Sequence, residues 1–236
     1  MKKTLILFTF ICISLQNTNA NNDTIKTDNR KYIAWFSPSK VTHMYGIMFN
    51  FWTSDDLYFV SSYNVYGLEL NLNPLSLLAS MTMVPVHVVL GHTIGLISGE
   101  TTLYGGEHYL SKVDTIDFTK FKKVYGLQIG SVDIENTIVN GLDLNVGRFQ
   151  SKNNGVCISV LINDHYVMNG VAIVAVVNHA AKCNGIQLGL INTSGQLKGV
   201  QIGLWNINQK RSLPFINWCF NSPKRSVSKV DKDSGK

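Results

Sequence analysis

Glycines that open apolar-alternating stretches recur at Gly126, Gly141, Gly155, Gly170, Gly185 and Gly199, in steps of 15, 14, 15, 15 and 14 residues. A period this short marks a repeat protein. The clearest copies are Gly185-Ile-Gln-Leu-Gly-Leu-Ile-Asn192 and Gly199-Val-Gln-Ile-Gly-Leu-Trp-Asn206. Gly155 to Asn163 and Gly170 to Asn178 are looser copies, and Met44 to Asn50, Val65 to Asn71 and Val124 to Gly130 are degenerate ones. One copy cannot fold alone. Its three or four apolar side chains each contribute about 1.5–3 kcal/mol on burial, against about 1.5 kcal/mol per residue ordered. Copies must therefore pair edge to edge and share a continuous face.

Within a copy the period is two. Val200, Ile202 and Leu204 oppose Gln201, Gly203 and Trp205, and Leu142, Leu144 and Val146 oppose Asp143 and Asn145. Strict alternation is the strand signal. Polar, turn-prone stretches such as Gln150 to Asn154 and Asn192 to Gln196 separate the copies. The distance from the closing Asn to the next Gly is constant at seven, whereas Gly to Asn is eight in the copies at Gly155 and Gly170 but seven in the copy at Gly185. A one-residue slip inverts every side chain of a strand, and a stacked coil would lose its Asn ladder. The expectation is therefore an all-β antiparallel meander of 14–15-residue repeats, closed as a β-barrel, with a β-solenoid or a sandwich as alternatives. Nine or ten residues per strand, one Val/Ile/Leu face and one polar face fit a membrane barrel, apolar side to lipid. Tyr125, Phe149, Tyr166 and Trp205 fall near strand ends, where an interfacial girdle would lie. The stretch from Asn73 to Met83 breaks the pattern and reads as a short helix or a plug-like insertion.

The chain opens Met-Lys-Lys, runs apolar from Thr4 to Ser14 and ends this segment in Thr18-Asn-Ala20. These are the three parts of a secretory signal peptide, so residues 1–20 are expected to be removed. Residues 21–220 then form one repetitive β domain, and 221–236 a disordered basic tail. The net charge of +6 lies mostly outside that domain: Lys2 and Lys3 belong to the leader and the tail carries +3, which leaves 21–220 at about +1. A nucleic-acid partner is excluded on that distribution. Outer-membrane lipid is the partner class that remains, and no protein partner is indicated.

No catalytic, cofactor or metal constellation emerges, and the chain is read as a non-enzyme without cofactors. His87 and His92 are five residues apart, on opposite faces of an extended strand. His165 and His179 occupy successive inter-repeat turns, which a meander places at opposite ends. Asp55-Asp56, Asp114, Asp117 and Asp133-Ile-Glu135 are the main acidic clusters, and Asp133 and Glu135 share one strand face about 7 Å apart, a spacing compatible with paired-carboxylate hydrolysis but one that any acidic strand would produce. After cleavage Cys157, Cys183 and Cys219 remain, an odd number that permits one internal disulfide at most. No phosphate-binding loop, dinucleotide fingerprint or nucleophile elbow is present.

The copies ending at Asn206, followed by Arg211-Ser-Leu-Pro-Phe-Ile-Asn-Trp218, resemble the bacterial surface-repeat proteins, exported chains built of short glycine-rich β repeats. The resemblance covers Val124 to Phe220 well and Val41 to Asn73 weakly, and it brings no site residues. It implies a location at the cell surface or in the outer membrane. The expected role is structural, adhesive or pore-like. A soluble periplasmic or secreted protein holding a hydrophobic ligand, and a hydrolase using Asp133, Glu135 or a turn histidine such as His165, are the alternatives.

Overall fold

The structure, a computed structural model, describes residues 28–37, 39, 41–51, 63–72, 113–133 and 136–220. The expected leader at 1–20, the stretch 73–83, the expected tail at 221–236, His87, His92, Asp55, Asp56 and Glu135 lie outside these residues. The described strands are β1 (Arg30–Ser37), β2 (His43–Asn50), β3 (Asn64–Asn71), β4 (Lys122–Gly130), β5 (Val132–Asp133), β6 (Thr137–Val174), β7 (Val177–Leu188), β8 (Ile191–Ile207) and β9 (Ser212–Cys219). Their order in one sheet is β1-β2-β3-β4-β6-β7-β8-β9, with β5 beside β6.

Every pairing is parallel except the last, β8 with β9. The chain therefore winds in one sense and returns to the same point each turn. It is a β-solenoid, and the antiparallel meander closed as a barrel is corrected. Equivalent residues stack in register: Gly46 on Gly67, Gly67 on Gly126 and Gly126 on Gly141 in the first half, then Gly170 on Gly185 and Gly185 on Gly199.

The variable length that spoke against stacking is absorbed at a corner. Ile173 pairs with Leu188 and Val177 with Ile191, so three residues of one coil face two of the next between ladder pairs. No ladder bond is lost there. The asparagines on either side stay aligned, Asn163 with Asn178 and Asn178 with Asn192.

The glycine column explains why only glycine opens each coil. Gly185 has a φ of +148°, a region that L side chains rarely enter. A Cβ there would overlap the carbonyl oxygen of Gly170 in the coil below. The same overlap recurs at the other glycines of the column. The aligned column thus lets successive backbones approach at the strand spacing of about 4.8 Å.

The corners are held by amides. Asn192 donates from Nδ2 to the carbonyls of Gly189 (3.0 Å) and Ile202 (2.9 Å), and to Asn206 Oδ1 (2.8 Å). Asn178 Nδ2 donates to Ala172 O at 3.0 Å. These acceptors lie at or next to the bend, and a buried carbonyl there takes a side-chain donor to complete its hydrogen bonding.

The final strand closes the stack. Asn208 Oδ1 accepts from the backbone of Lys210 and Arg211 at 2.9 and 3.1 Å, which reverses the chain. The side-chain amide of Gln209 pairs with both Leu197 N and Leu197 O, in the place of a further strand. Antiparallel β9, with Pro214 inside it, offers the next chain a poor template.

At the side of the coils preceding the glycines, a helical turn at 113–115 and the 3-10 turn Phe118–Lys120 lie over the sheet. Val113 and Phe121 pack there with Ile138, Tyr166 and Ala181. Asp114 accepts from Lys182 Nζ at 2.5 Å.

Gly185→Ala is expected to lower the unfolding free energy by more than about 2 kcal/mol, from backbone strain and coil overlap. Ile186→Ala, one residue on and half-exposed, should cost about 1 kcal/mol. Urea denaturation followed by far-UV circular dichroism compares them, and equal losses would show that the coils do not approach at the glycine.

Candidate functional site

The residues around each glycine divide strictly by direction. Two positions past it stand Met48, Glu69, Gln128, Asp143, Cys157, Ala172, Gln187 and Gln201, each at most 1% exposed. They fill the coil interior. One and three positions past it, from Ile47 and Phe49 to Val200 and Ile202, every residue is Val, Ile, Leu or Phe, and these point out. Leu142 is 36% exposed, Ile158 39% and Ile202 43%. The end strands continue the pattern. Ala34 and Phe36 of β1 align with Ile47 and Phe49, and Trp218 and Ile216 of β9 align with Val200 and Ile202. The molecule carries a long apolar sheet face on its outside and amides within.

The expected division of apolar outside and polar inside is therefore present, wrapped around a filled coil in place of a barrel. Ala172 lies inside in a cluster with Met168, Cys183 and Leu197, and Val174 is also buried.

One row borders this face. The residue before each glycine is tyrosine in the early coils, and Tyr32, Tyr45, Tyr66 and Tyr125 stack with ring centroids 5.4, 4.9 and 5.0 Å apart. All four are more than a third exposed. Burial within the stack, then the neighbouring Tyr125 and Tyr45, raise the Tyr66 phenol above its ordinary value. The row continues as an amide ladder, Asn154 to Asn140 at 2.8 Å, Asn169 to Asn154 at 2.7 Å and Asn184 to Asn169 at 2.8 Å. The asparagine part of this column was readable in the sequence as Asn-Gly at the repeat spacing, at Asn140, Asn154, Asn169 and Asn184, and the tyrosine part as Tyr-Gly at the wider steps of the early copies.

The titratable residues considered as chemistry are mostly sealed inside. Arg148, fully buried, donates from Nε to Asp143 Oδ2 (2.9 Å), from NH2 to Gln128 Oε1 (2.6 Å) and from NH1 to Asp133. Lys122 Nζ lies 3.0 Å from Glu69 Oε1, to which Tyr63 also donates at 3.0 Å. Burial works to lower the Arg148 pKa, but Asp143 and Asp133 outweigh it and raise it above the usual guanidinium value. Asp133 is 2% exposed, so the carboxylate once paired with Glu135 faces Arg148 and no substrate.

His165 and His179 do not lie at opposite ends; parallel winding corrects that expectation. Asp164 is aligned with His179 in the next coil and accepts from its Nδ1 at 2.8 Å. His165 Nδ1 lies 2.7 Å from Ser151 Oγ. Burial, then the charge of Arg148, pushes the His165 imidazole down to about 3; Asp164 acts in the opposite sense and His179 in the same one. Asp114, half-exposed, pairs with partly buried Lys182, and Asp117 caps the 3-10 turn through Thr119, which lowers its carboxyl pKa.

Cys157, Cys183 and Cys219 are buried and form no disulfide with one another. Burial raises Cys183 to about 12, and burial together with Asp143 raises Cys157. Neither is an accessible nucleophile. Among the described residues no group of three or more His, Cys, Asp or Glu could hold a metal ion. A recess of about 300 Å³ at the C-terminal end is lined by Lys210, Arg211, Trp218, Cys219 and Phe220. Arg211 lies 4.5 Å over the Trp218 ring there, with Nε on Asn217 Oδ1 at 3.1 Å.

No protein family, curated protein or solved structure matches the chain.

Two outcomes follow for the interior. Arg148→Met should cost about 3–5 kcal/mol, because Asp133 and Asp143 lose the guanidinium while remaining buried; a loss under 1 kcal/mol by urea denaturation would mean that the cluster is solvated. The folded pKa of His165 lies below its unfolded value of about 6.5. Acidification therefore protonates the unfolded chain first, and stability falls with pH below about 6.5 by about 1.4 kcal/mol per unit. His165→Asn should remove that slope between pH 6.5 and 5, and an unchanged slope would place the titration elsewhere.

Proposed function

We propose that this chain is an exported, non-enzymatic repeat protein of the cell surface or outer membrane, with a structural or adhesive role played by the outer sheet face. The observation that carries this reading is the unbroken apolar face running from β1 to β9. Monomeric soluble proteins rarely expose so large a contiguous apolar surface, and its presence marks an interaction site. The coil interior is filled with side chains, so a pore-like role has no lumen to rest on among the described residues. The hydrophobic-ligand alternative has weaker support, since the apolar rows face outward in place of lining a cavity. The hydrolase alternative has weaker support again, with Asp133 and His165 sealed and paired.

The test is expression of the full chain in a Gram-negative host, with mass spectrometry of the product and protease treatment of intact cells. The expected result is a chain beginning at Asn21 and digested from outside. An intact leader on a protected cytoplasmic protein would overturn the assignment.

A further inference from the structure

We infer that the outer sheet face is the interface between two copies of this chain, packed sheet to sheet. The inference deepens the reading of that face as an association surface and rests on it; it does not depend on where the protein is located.

Three observations converge on a second copy. The face is a regular lattice, with two rows of aliphatic side chains repeated at the strand spacing of about 4.8 Å and separated by about 7 Å along the strand. A second copy presents the same lattice, so the ridges of one fit the grooves of the other, as an isologous contact requires. The two rows carry no charged side chain from Ile47 to Ile202. No ionic group is left unpaired when the face is covered, and the charge of about +1 on residues 21–220 sets up little repulsion between copies. The two rows carry no cation either, so this face itself offers an anionic membrane no electrostatic hold.

Size is the third observation. Ten stacked strands at that spacing make a strip roughly 40 Å long and, over the two rows and their flanks, about 14 Å wide. Two copies meeting along it remove about 1,100 Å² from water, just above the roughly 1,000 Å² that a specific interface needs. Two sheets then lie about 10 Å apart, as in a β-sandwich. The side of the coils preceding the glycines differs: the turn at Phe118–Lys120 and its neighbours already cover part of it.

The experiment is sedimentation equilibrium of the purified full chain at micromolar concentration without detergent, with the Ile158→Glu/Ile202→Glu variant beside it. Both residues are partly exposed, so the variant should keep its circular dichroism spectrum. A dimer for the native chain, a dissociation constant raised at least 100-fold in the variant, and an unchanged dimer for Lys120→Glu on the covered side support the interface. A native chain that is monomeric overturns it, whether it floats with neutral phosphatidylcholine vesicles, which would assign the face to lipid, or stays free, which would mean that another part of the chain covers it. A dimer that survives Ile158→Glu/Ile202→Glu also overturns it. The location experiment reads the leader and the compartment alone, so failure of that reading and failure of the dimer are separable.

Discussion

The close stacking of one glycine on the next sets everything else in this molecule. Gly46, Gly67, Gly126 and their successors take a positive φ that L side chains rarely adopt, while ordinary strand alternation puts the residues on either side of each glycine on the same outer side. Tyr66 and Leu68 both point out while Val65 and Glu69 point in. The missing Cβ then lets each coil settle on the carbonyl of the last. Because the glycines align, the chain must wind in parallel, and parallel winding places every residue beside its own counterpart. A single local conformation, repeated, fixes the direction of the sheet, the columns and the division between inside and outside.

Columns of like residues have consequences that differ by chemistry. Tyr66 stacks on Tyr45 and Tyr125, and Asn169 donates to Asn154, so these side chains find their partners in the neighbouring coil. Gln201 donates to Gln187 at 2.9 Å inside the coil in the same way. An interior of amides is tolerable under this rule, because burial of an amide costs little once its bonds are made. Aliphatic side chains gain nothing comparable from their column, and on the outer face they await a surface to cover them.

Much of this was legible before any coordinates. Strand identity, the 14–15-residue period and the assignment of Val200, Ile202 and Gln201 to opposite faces all followed from alternation. Strand direction did not. The length difference between Gly170–Asn178 and Gly185–Asn192 reads in sequence as a slip inside a ladder, whereas it falls at the corner near Val176 and Leu190, where no ladder pair is made. The pairing of His179 with Asp164 was likewise hidden, since it depends on which residues a parallel coil brings into register. The outer face was visible as a pattern of residues, but its meaning turned on topology, because the same two rows face lipid in a barrel and water in a solenoid.

The buried charges follow from the same column logic. In the column two past the glycine, Glu69, Gln128 and Asp143 occupy successive coils. Two carboxylates separated by one amide, out of water, repel each other strongly at the low dielectric of the interior. A run of glutamines would need no counter-ions; this stretch does. The cations come from positions that differ from the repeat consensus, Lys122 at the start of β4 and Arg148 within β6. Lys122 reaches Glu69, and Arg148 reaches Asp143, Gln128 and Asp133 together. A shift of one coil in either direction would strand at least one carboxylate without its cation. The amide columns, which accept any coil as neighbour, provide no such discrimination. The ionic segment therefore gives a repetitive sequence a unique register, at a position between the tyrosine-bearing coils and the asparagine-bearing ones.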